Sequence, residues 1–350
     1  MKYLRLLLFP FSLIYGLVVL MRNWCYDAGL LESRSFNLPV ISVGNLEIGG
    51  AGKSPMTEYL IRLLKDDYKL STLSRGYGRK TKGFLIANDQ ADATLIGDEP
   101  AQFKHKFPKI TVAVCEKRVT GIEHLKADHN LVILDDAYQH RAVKPGLSIL
   151  LFDYHQITHP QFLLPAGNLR EPLSGRWRAD VMVISKCPVD IDEQAQQSIA
   201  EKLSPLPYQS LFFSTIKYLP SQNMAGHISK VIIDADTTIF LLTGIANPNP
   251  LVLHIKKTTS HVIHHNYPDH HSFSLKNITK LANDFNACAT QKKLIITTEK
   301  DAQRLANDEL RPLIDKLPIL VQPIGISFLQ DQQAFDQIIL NYVREYTAHR

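Results

Sequence analysis

From Pro39 onward the chain alternates short apolar runs with amphipathic stretches. The runs fall at 40–43, 69–73, 110–114, 131–134, 147–152 and 181–185, mostly followed by polar or glycine-rich residues. Unbroken β-branched and aliphatic runs predict strands buried on both faces. Between them, spacings such as Met56, Tyr59, Leu60, Leu63 and Leu64 predict helices. That alternation predicts a parallel sheet with helices on both faces. A second block follows Pro205, Pro207 and Pro220, with strands predicted at 211–217, 238–242, 260–264, 293–297 and 319–328. The runs Leu211-Phe212-Phe213-Ser214 and Pro323 through Phe328 are candidates to pair as a hinge between the halves. A length of 350 residues fits two domains. The expected division is 26–210 for the larger and 211–350 for a smaller α/β domain, joined by the strand hinge.

The N-terminus breaks the pattern. Residues 6–21, LLLFPFSLIYGLVVLM, carry no charge, and Lys2, Arg5 and Arg22 flank them. The run is short for a membrane span, which takes about 20 residues, and Pro10 sits inside it. No small-residue cleavage site follows; the next residues are Arg22-Asn23-Trp24-Cys25-Tyr26. A buried core helix is the alternative for so short a run. The reading adopted is a membrane anchor over residues 1–25, inserted or lying in the interface, with Trp24 and Tyr26 at headgroup level.

Composition narrows the function classes. Hydrophobic residues make up 45% and charged residues 21%, as in ordinary globular proteins. A net charge of +5 does not call for nucleic acid but suits an anionic membrane surface. Cys25, Cys115, Cys187 and Cys288 are scattered without a C-x-x-C pair, which fits a reducing compartment and neither a disulfide framework nor a zinc site. No obligate protein partner is inferred.

The stretch GNLEIGGAGKSP, residues 44–55, nearly spells the phosphate loop G-x-x-x-x-G-K-[ST], with Glu47 where the first glycine belongs. A strand precedes it and a helix follows, with Pro55 in the first turn, where a missing N–H is harmless. Gly49, Gly50, Ala51 and Gly52 let backbone N–H groups converge on an anion at the helix N-terminus. Lys53 is then placed to reach the β- and γ-phosphates of ATP, and the Ser54 hydroxyl to ligate Mg²⁺.

Further groups follow other strands. Leu131-Val132-Ile133-Leu134-Asp135-Asp136 reads as an apolar strand ending in the acids that hold Mg²⁺, with Asp135 the ligand and Asp136 behind it. Asp98, in Gly97-Asp98-Glu99-Pro100, is either a helix cap or a general base for an attacking hydroxyl. Arg75 and Tyr77, in Arg75-Gly76-Tyr77-Gly78-Arg79, and Lys117-Arg118 follow the second and third strands; these cations cradle phosphates or are solvated surface charge. The histidines 254, 261, 264, 265, 270 and 271 lack the partners of a zinc site, and Asp269-His270 stands out as a carboxylate that orients an imidazole.

Together the motifs VGNLEIGGAGKSP, LSRGYGRK, IGDEPAQF, LVILDDAYQHR, LLPAGNLREP, TGIANP, YPDHHSF and ITTEKDAQRL closely resemble the tetraacyldisaccharide 4′-kinase family, over residues from about 40 to 302. Ser54 and Ala137 stand where the family often has threonine and glycine. The resemblance implies a P-loop NTPase-like α/β/α sandwich, a second, smaller α/β domain and an N-terminal membrane-associated helix. It implies ATP and Mg²⁺ as cofactors, with γ-phosphate transfer to the 4′-hydroxyl of a membrane-embedded tetraacyldisaccharide 1-phosphate at the cytoplasmic face of a bacterial inner membrane. By motif, Asp98 is the catalytic base and His270 its partner, the two meeting when the interdomain cleft closes. Lys53 is catalytic, and Arg170 and Glu171 of the PAGNLREP turn join Arg75, Tyr77 and Arg118 as substrate residues. The rival is a membrane-tethered nucleotide switch or ATPase, which lacks an Asn-Lys-x-Asp run for guanine and leaves Asp98 and Asp269-His270 without a role.

Overall fold

A computed structural model of the chain describes residues 5–348; Lys2, the first cation flanking the N-terminal run, lies outside them. The strands in chain order are β1 (Val40–Asn45), β2 (Leu70–Ser74), β3 (Leu85–Ile86), β4 (Thr111–Val114), β5 (Leu131–Asp135), β6 (Leu147–Asp153), β7 (Val181–Ser185) and β8 (Ser210–Tyr218). They continue as β9 (Gln222–Asn223), β10 (Thr238–Thr243), β11 (Val262–Asn266), β12 (Lys293–Thr298), β13 (Ile319–Gln322) and β14 (Ile324–Phe328). The larger sheet has the order β14-β8-β7-β6-β1-β5-β2-β4-β3, and the smaller one β11-β10-β12-β13-β9. β1 pairs in parallel with both β5 and β6, so the chain order reverses around it. Ligands of such sheets gather beyond the carboxyl end of that point.

Each sheet is covered on both faces. Ile41, Val43, Ile133 and Ile149 share a core with Met56, Leu60 and Leu64 of helix Lys53–Leu64 and with Phe335, Ile339 and Val343 of helix Gln332–Ala348. Val40, Val132 and Leu134 point the other way, toward Ile122 and Leu125. In the smaller sheet, Phe240 and Leu242 pack with Ile278 and Leu281, and Ile239 and Leu241 with Leu251 and Ile255. Side chains alternate across a strand, so each continuous apolar run feeds two cores.

A single cut at 211 does not describe this connectivity. β8 continues the larger sheet in parallel with β7, and residues 324–348 return to it through β14 and the last helix. The predicted run 319–328 is two strands in two sheets, divided at Pro323, which has no N–H to donate to a ladder. β14 and β8 pair antiparallel, from Ile324 opposite Tyr218 to Phe328 opposite Ser214.

Pro10 opens the N-terminal helix, Phe9–Asp27, rather than interrupting it. One face of the helix docks on residues 163–171. Ser12 Oγ donates to Leu163 O at 3.0 Å, Tyr15 OH to Arg170 O at 2.7 Å, and Asn23 Nδ2 to Glu171 at 3.1 Å. Leu7, Phe11, Ile14, Leu17, Val18, Met21 and Trp24 are exposed. Among the described residues no helix is long and apolar enough to cross a membrane.

Candidate active site

The loop after β1 curls as its glycines allow. Gly49 and Gly52 have φ of +116° and +84°, and Gly52 caps the helix that begins at Lys53. Ser185 Oγ donates to Ala51 O at 2.7 Å, fixing the loop against the end of β7. The Lys53 ammonium lies 3.0 Å from Asn45 Oδ1 and 3.5 Å from Asp136. Glu47, in place of the first glycine, is buried, pairs across an isolated bridge with Leu169 and accepts from Gln161 at 2.7 Å. Burial, only partly opposed by the Gln161 hydrogen bond, pushes its carboxyl up to about 7. Ile48 N donates to Asn168 O at 2.8 Å and Arg170 N to Leu46 O at 2.7 Å. Residues 161–170 thus form a strap along the loop, with the N-terminal helix on the strap's far side.

The acids at the end of β5 have opposite surroundings. Asp135 is buried and accepts from Thr57 Oγ1 at 3.1 Å; burial first, then the charges of Asp136 and Glu99, push it up to about 7. Asp136, at φ +47°, is held below the usual range because Lys53 and Arg170 outweigh its burial. Arg170 Nη1 lies 3.2 Å from Asp136. Arg118 is 3% exposed, with its Nε unpartnered among the described residues. Burial, opposed by Asp135 and Asp136, brings its guanidinium down to about 10. A buried carboxylate short of positive charge, beside the Ser54 end of the loop helix, fits a divalent cation.

Asp98 begins helix Asp98–Lys106 after Gly97, whose φ is +93°. A Cβ at Gly97 would meet Tyr77 O at 2.8 Å, so the backbone at Gly76 and Tyr77 packs directly against Gly97, next to Asp98. His270 Nδ1 lies 3.0 Å from Asp98 Oδ2, and the Tyr77 ring stands 5.5 Å from the imidazole. The two groups, one from each sheet's side of the molecule, are therefore in contact. Asp269 approaches the other ring nitrogen at 3.9 Å. Arg304 donates to the same Asp98 oxygen from Nε at 3.0 Å and Nη2 at 2.6 Å. Burial raises the Asp98 carboxyl, but the His270 and Arg304 bonds and charges outweigh it and leave it at about 2. His270 is correspondingly raised, chiefly by its hydrogen bond to Asp98. Lys300 pairs with Glu99 at 2.6 Å and senses both Asp135 and Asp98, which links the two carboxylate groups across the crevice.

Not every expected residue joins this centre. Glu171 is 2% exposed and accepts from Arg178, Asn23 and Gln139, so it braces the strap against the N-terminal helix. Arg79 is committed to Glu116 at 2.5 Å, and Arg75 is exposed. The other histidines are dispersed: His254 stacks on Tyr218, His264 bonds Thr243, and His271 stacks on Tyr267. Sequence reasoning missed Asn45, Arg304 and Lys186. Lys186, at φ +60°, pairs with Asp153 at 2.7 Å and lies 3.8 Å from where a Gly50 Cβ would sit. Arg304 stands inside the quoted ITTEKDAQRL motif, but no local spacing ties it to a residue about two hundred positions earlier.

The family model for tetraacyldisaccharide-1-P 4′-kinase matches residues 4–344. The tetraacyldisaccharide 4′-kinase of Bacteroides thetaiotaomicron is 45% identical over 362 residues, covering 98% of this chain and 94% of that protein. That of Flavobacterium johnsoniae is 43% identical and covers 99% of each. A crystal structure of the "apo" form of LpxK from Aquifex aeolicus in complex with ATP superposes with a TM-score of 0.75, at 27% identity, over 97% of this chain and 99% of that one. The chain belongs to the tetraacyldisaccharide-1-P 4′-kinase family.

Proposed function

We propose that this protein is a lipid kinase that transfers the γ-phosphate of ATP to the 4′-hydroxyl of tetraacyldisaccharide 1-phosphate, giving the 1,4′-bisphosphate. The observation that carries the reading is the Asp98–His270 contact at 3.0 Å, which Glu99 and Lys300 couple to Asp135 beside the phosphate loop. Transfer to an alcohol needs a proton acceptor beside a phosphate cradle, whereas a nucleotide switch has no use for one. In the reaction the hydroxyl oxygen forms a bond to the γ-phosphorus, the bridging β–γ P–O bond breaks, and the hydroxyl proton passes to Asp98 as ADP leaves. His270 orients the carboxylate and stabilises its charge. Lys53 neutralises charge on the β- and γ-phosphates, and Arg118 and Arg170 add donors at the same edge. Ser54, Asp135 and Asp136 are the residues to hold Mg²⁺, which when bound supplies further neutralisation of phosphate charge.

The exposed apolar face of helix Phe9–Asp27 supports an interfacial seat on the bilayer that contains the lipid substrate, on the side where ATP is present. In a bacterium making lipid A this is the cytoplasmic face of the inner membrane. The deciding assay follows γ-phosphate from labelled ATP in detergent with extracted disaccharide lipid. Label should move to lipid and depend on it. Release as inorganic phosphate at the same rate without lipid would favour the switch.

A further inference from the structure

The reading of Asp98 as general base leaves open which of its oxygens receives the proton, and Arg304 answers that. Three donors converge on Oδ2: Arg304 Nε at 3.0 Å, Arg304 Nη2 at 2.6 Å and His270 Nδ1 at 3.0 Å. Among the described residues no hydrogen bond reaches Oδ1 from another side chain. A carboxylate oxygen has two lone-pair directions, so Oδ2 is saturated while Oδ1 stays available. The guanidinium is itself locked. Its Nη1 donates to Gly244 O at 2.8 Å and to Asp301 Oδ1 at 2.9 Å, and its side chain is 7% exposed. Asp301 is fully buried and held in turn by Gly244 N at 3.0 Å and Thr298 Oγ1 at 2.7 Å. His270 N also donates to Gly244 O, at 3.1 Å, so one carbonyl at the end of β10 sets the position of both partners of Asp98.

We propose that Arg304 is a positioning residue for phosphoryl transfer: its guanidinium anchors Oδ2 of Asp98 and thereby presents Oδ1 to the substrate hydroxyl. The inference rests on Asp98 being the base. It makes orientation of the base a property of both sheets, because Arg304 belongs to helix Glu299–Leu305 after β12 of the smaller sheet while Asp98 lies between β3 and β4 of the larger one. A lysine at 304 keeps the charge but not the fork that fixes the carboxylate plane.

The test compares Arg304→Ala, Arg304→Lys and Asp98→Asn with the wild type by kcat, KM for ATP and the pH profile of kcat on the disaccharide lipid. The charged groups facing Asp98 are Glu99, Asp269, His270, Lys300, Asp301 and Arg304. Removing the guanidinium from a partly buried carboxylate raises its pKa, so the acid limb of kcat should move up by about 1–3 pH units in Arg304→Ala. Its kcat at neutral pH should fall roughly 10²-fold, the order of loss from misplacing a reacting group, with KM for ATP nearly constant. Arg304→Lys should recover part of the acid-limb position but little of kcat, and added methylguanidinium should rescue Arg304→Ala. Should Arg304→Ala misfold, the lysine variant carries the comparison. Wild-type kcat and acid limb in Arg304→Ala, or in Arg304→Lys if the alanine variant misfolds, with Asp98→Asn inactive, overturn the proposal while sparing the base. Wild-type kcat in Asp98→Asn overturns the base and this proposal with it.

Discussion

Lys53 lies between two protein oxygens, Asn45 Oδ1 at 3.0 Å and Asp136 at 3.5 Å, and on the proposed mechanism it exchanges them for phosphate. Lys53→Ala should cut kcat at saturating ATP by at least about 10²-fold, as losing a charge-neutralising donor does in other sites, while the circular dichroism and melting profile stay close to wild type. Near-normal turnover would remove the loop from the mechanism. Glu47 gives a prediction of opposite character, about stability. Its folded pKa of about 7 lies above the ordinary value of 4.5, so the folded state holds the proton more tightly than the unfolded one. Its stabilising contribution is complete below the unfolded value and is lost as pH rises through about 7. Glu47→Gln keeps an acceptor for Gln161 and removes that loss. The variant should be more stable than wild type at pH 8 by roughly 1–3 kcal/mol, and the difference should vanish near pH 4. Denaturant melts at the two pH values decide it; an advantage independent of pH would refute the buried charge. The glycine-rich loop, Lys53 and the paired aspartates were legible in the sequence, since neighbours in the chain form one turn. Arg304 and Lys186 were not, because Asp98 and Asp153, with which they pair, belong to other elements of the chain.

At the scale of elements, the strap at 161–171 joins the N-terminal helix to the phosphate loop: Ile48 N bonds Asn168 O, Arg170 N bonds Leu46 O and Gln161 bonds Glu47 on one side, and the Ser12 and Tyr15 hydroxyls bond strap carbonyls while Asn23 bonds Glu171 on the other. In the sequence this segment shows a conspicuous turn with two charged residues, Arg170 and Glu171, whereas in the fold its backbone makes contacts with the loop. Gly167 is its tightest point, where a Cβ would come 2.0 Å from Phe162 O. Gly167→Ala should cost roughly 1–3 kcal/mol in stability and raise KM for ATP more than it lowers kcat, because the loop loses its brace. A melting temperature and KM equal to wild type would show the strap to be passive. The 319–328 run carries a related lesson. Its hydrophobicity read as one strand, yet Pro323 sends its halves to different sheets.

At the scale of the whole molecule, the site is assembled from two sheets. Asp98 comes from the larger unit and His270 and Arg304 from the smaller, so their coupling measures how well the units are held together. Asp98→Ala and His270→Ala should each lower kcat about 10²–10⁴-fold with little change in ATP affinity, and the double variant should resemble the worse single one. Additive losses would mean independent roles. Deleting residues 1–27 should release the protein from membranes and, through the strap, lower activity on detergent-dispersed lipid without abolishing it. Sedimentation of the truncated chain with vesicles would point to another anchoring surface. What the sequence determined by itself is what short-range physics writes: strand runs, helix periods, the phosphate loop, the acids at strand ends and the apolar N-terminal run. Each depends on residues a few positions apart, whose backbone geometry and burial period decide the outcome locally. The strand order, the return of residues 324–348 to the larger sheet, the strap against the loop and the saturation of one Asp98 oxygen depend on groups distant in the chain. Hydrophobic burial and hydrogen bonding place those groups only once the sheets have packed, so only the tertiary structure decided them.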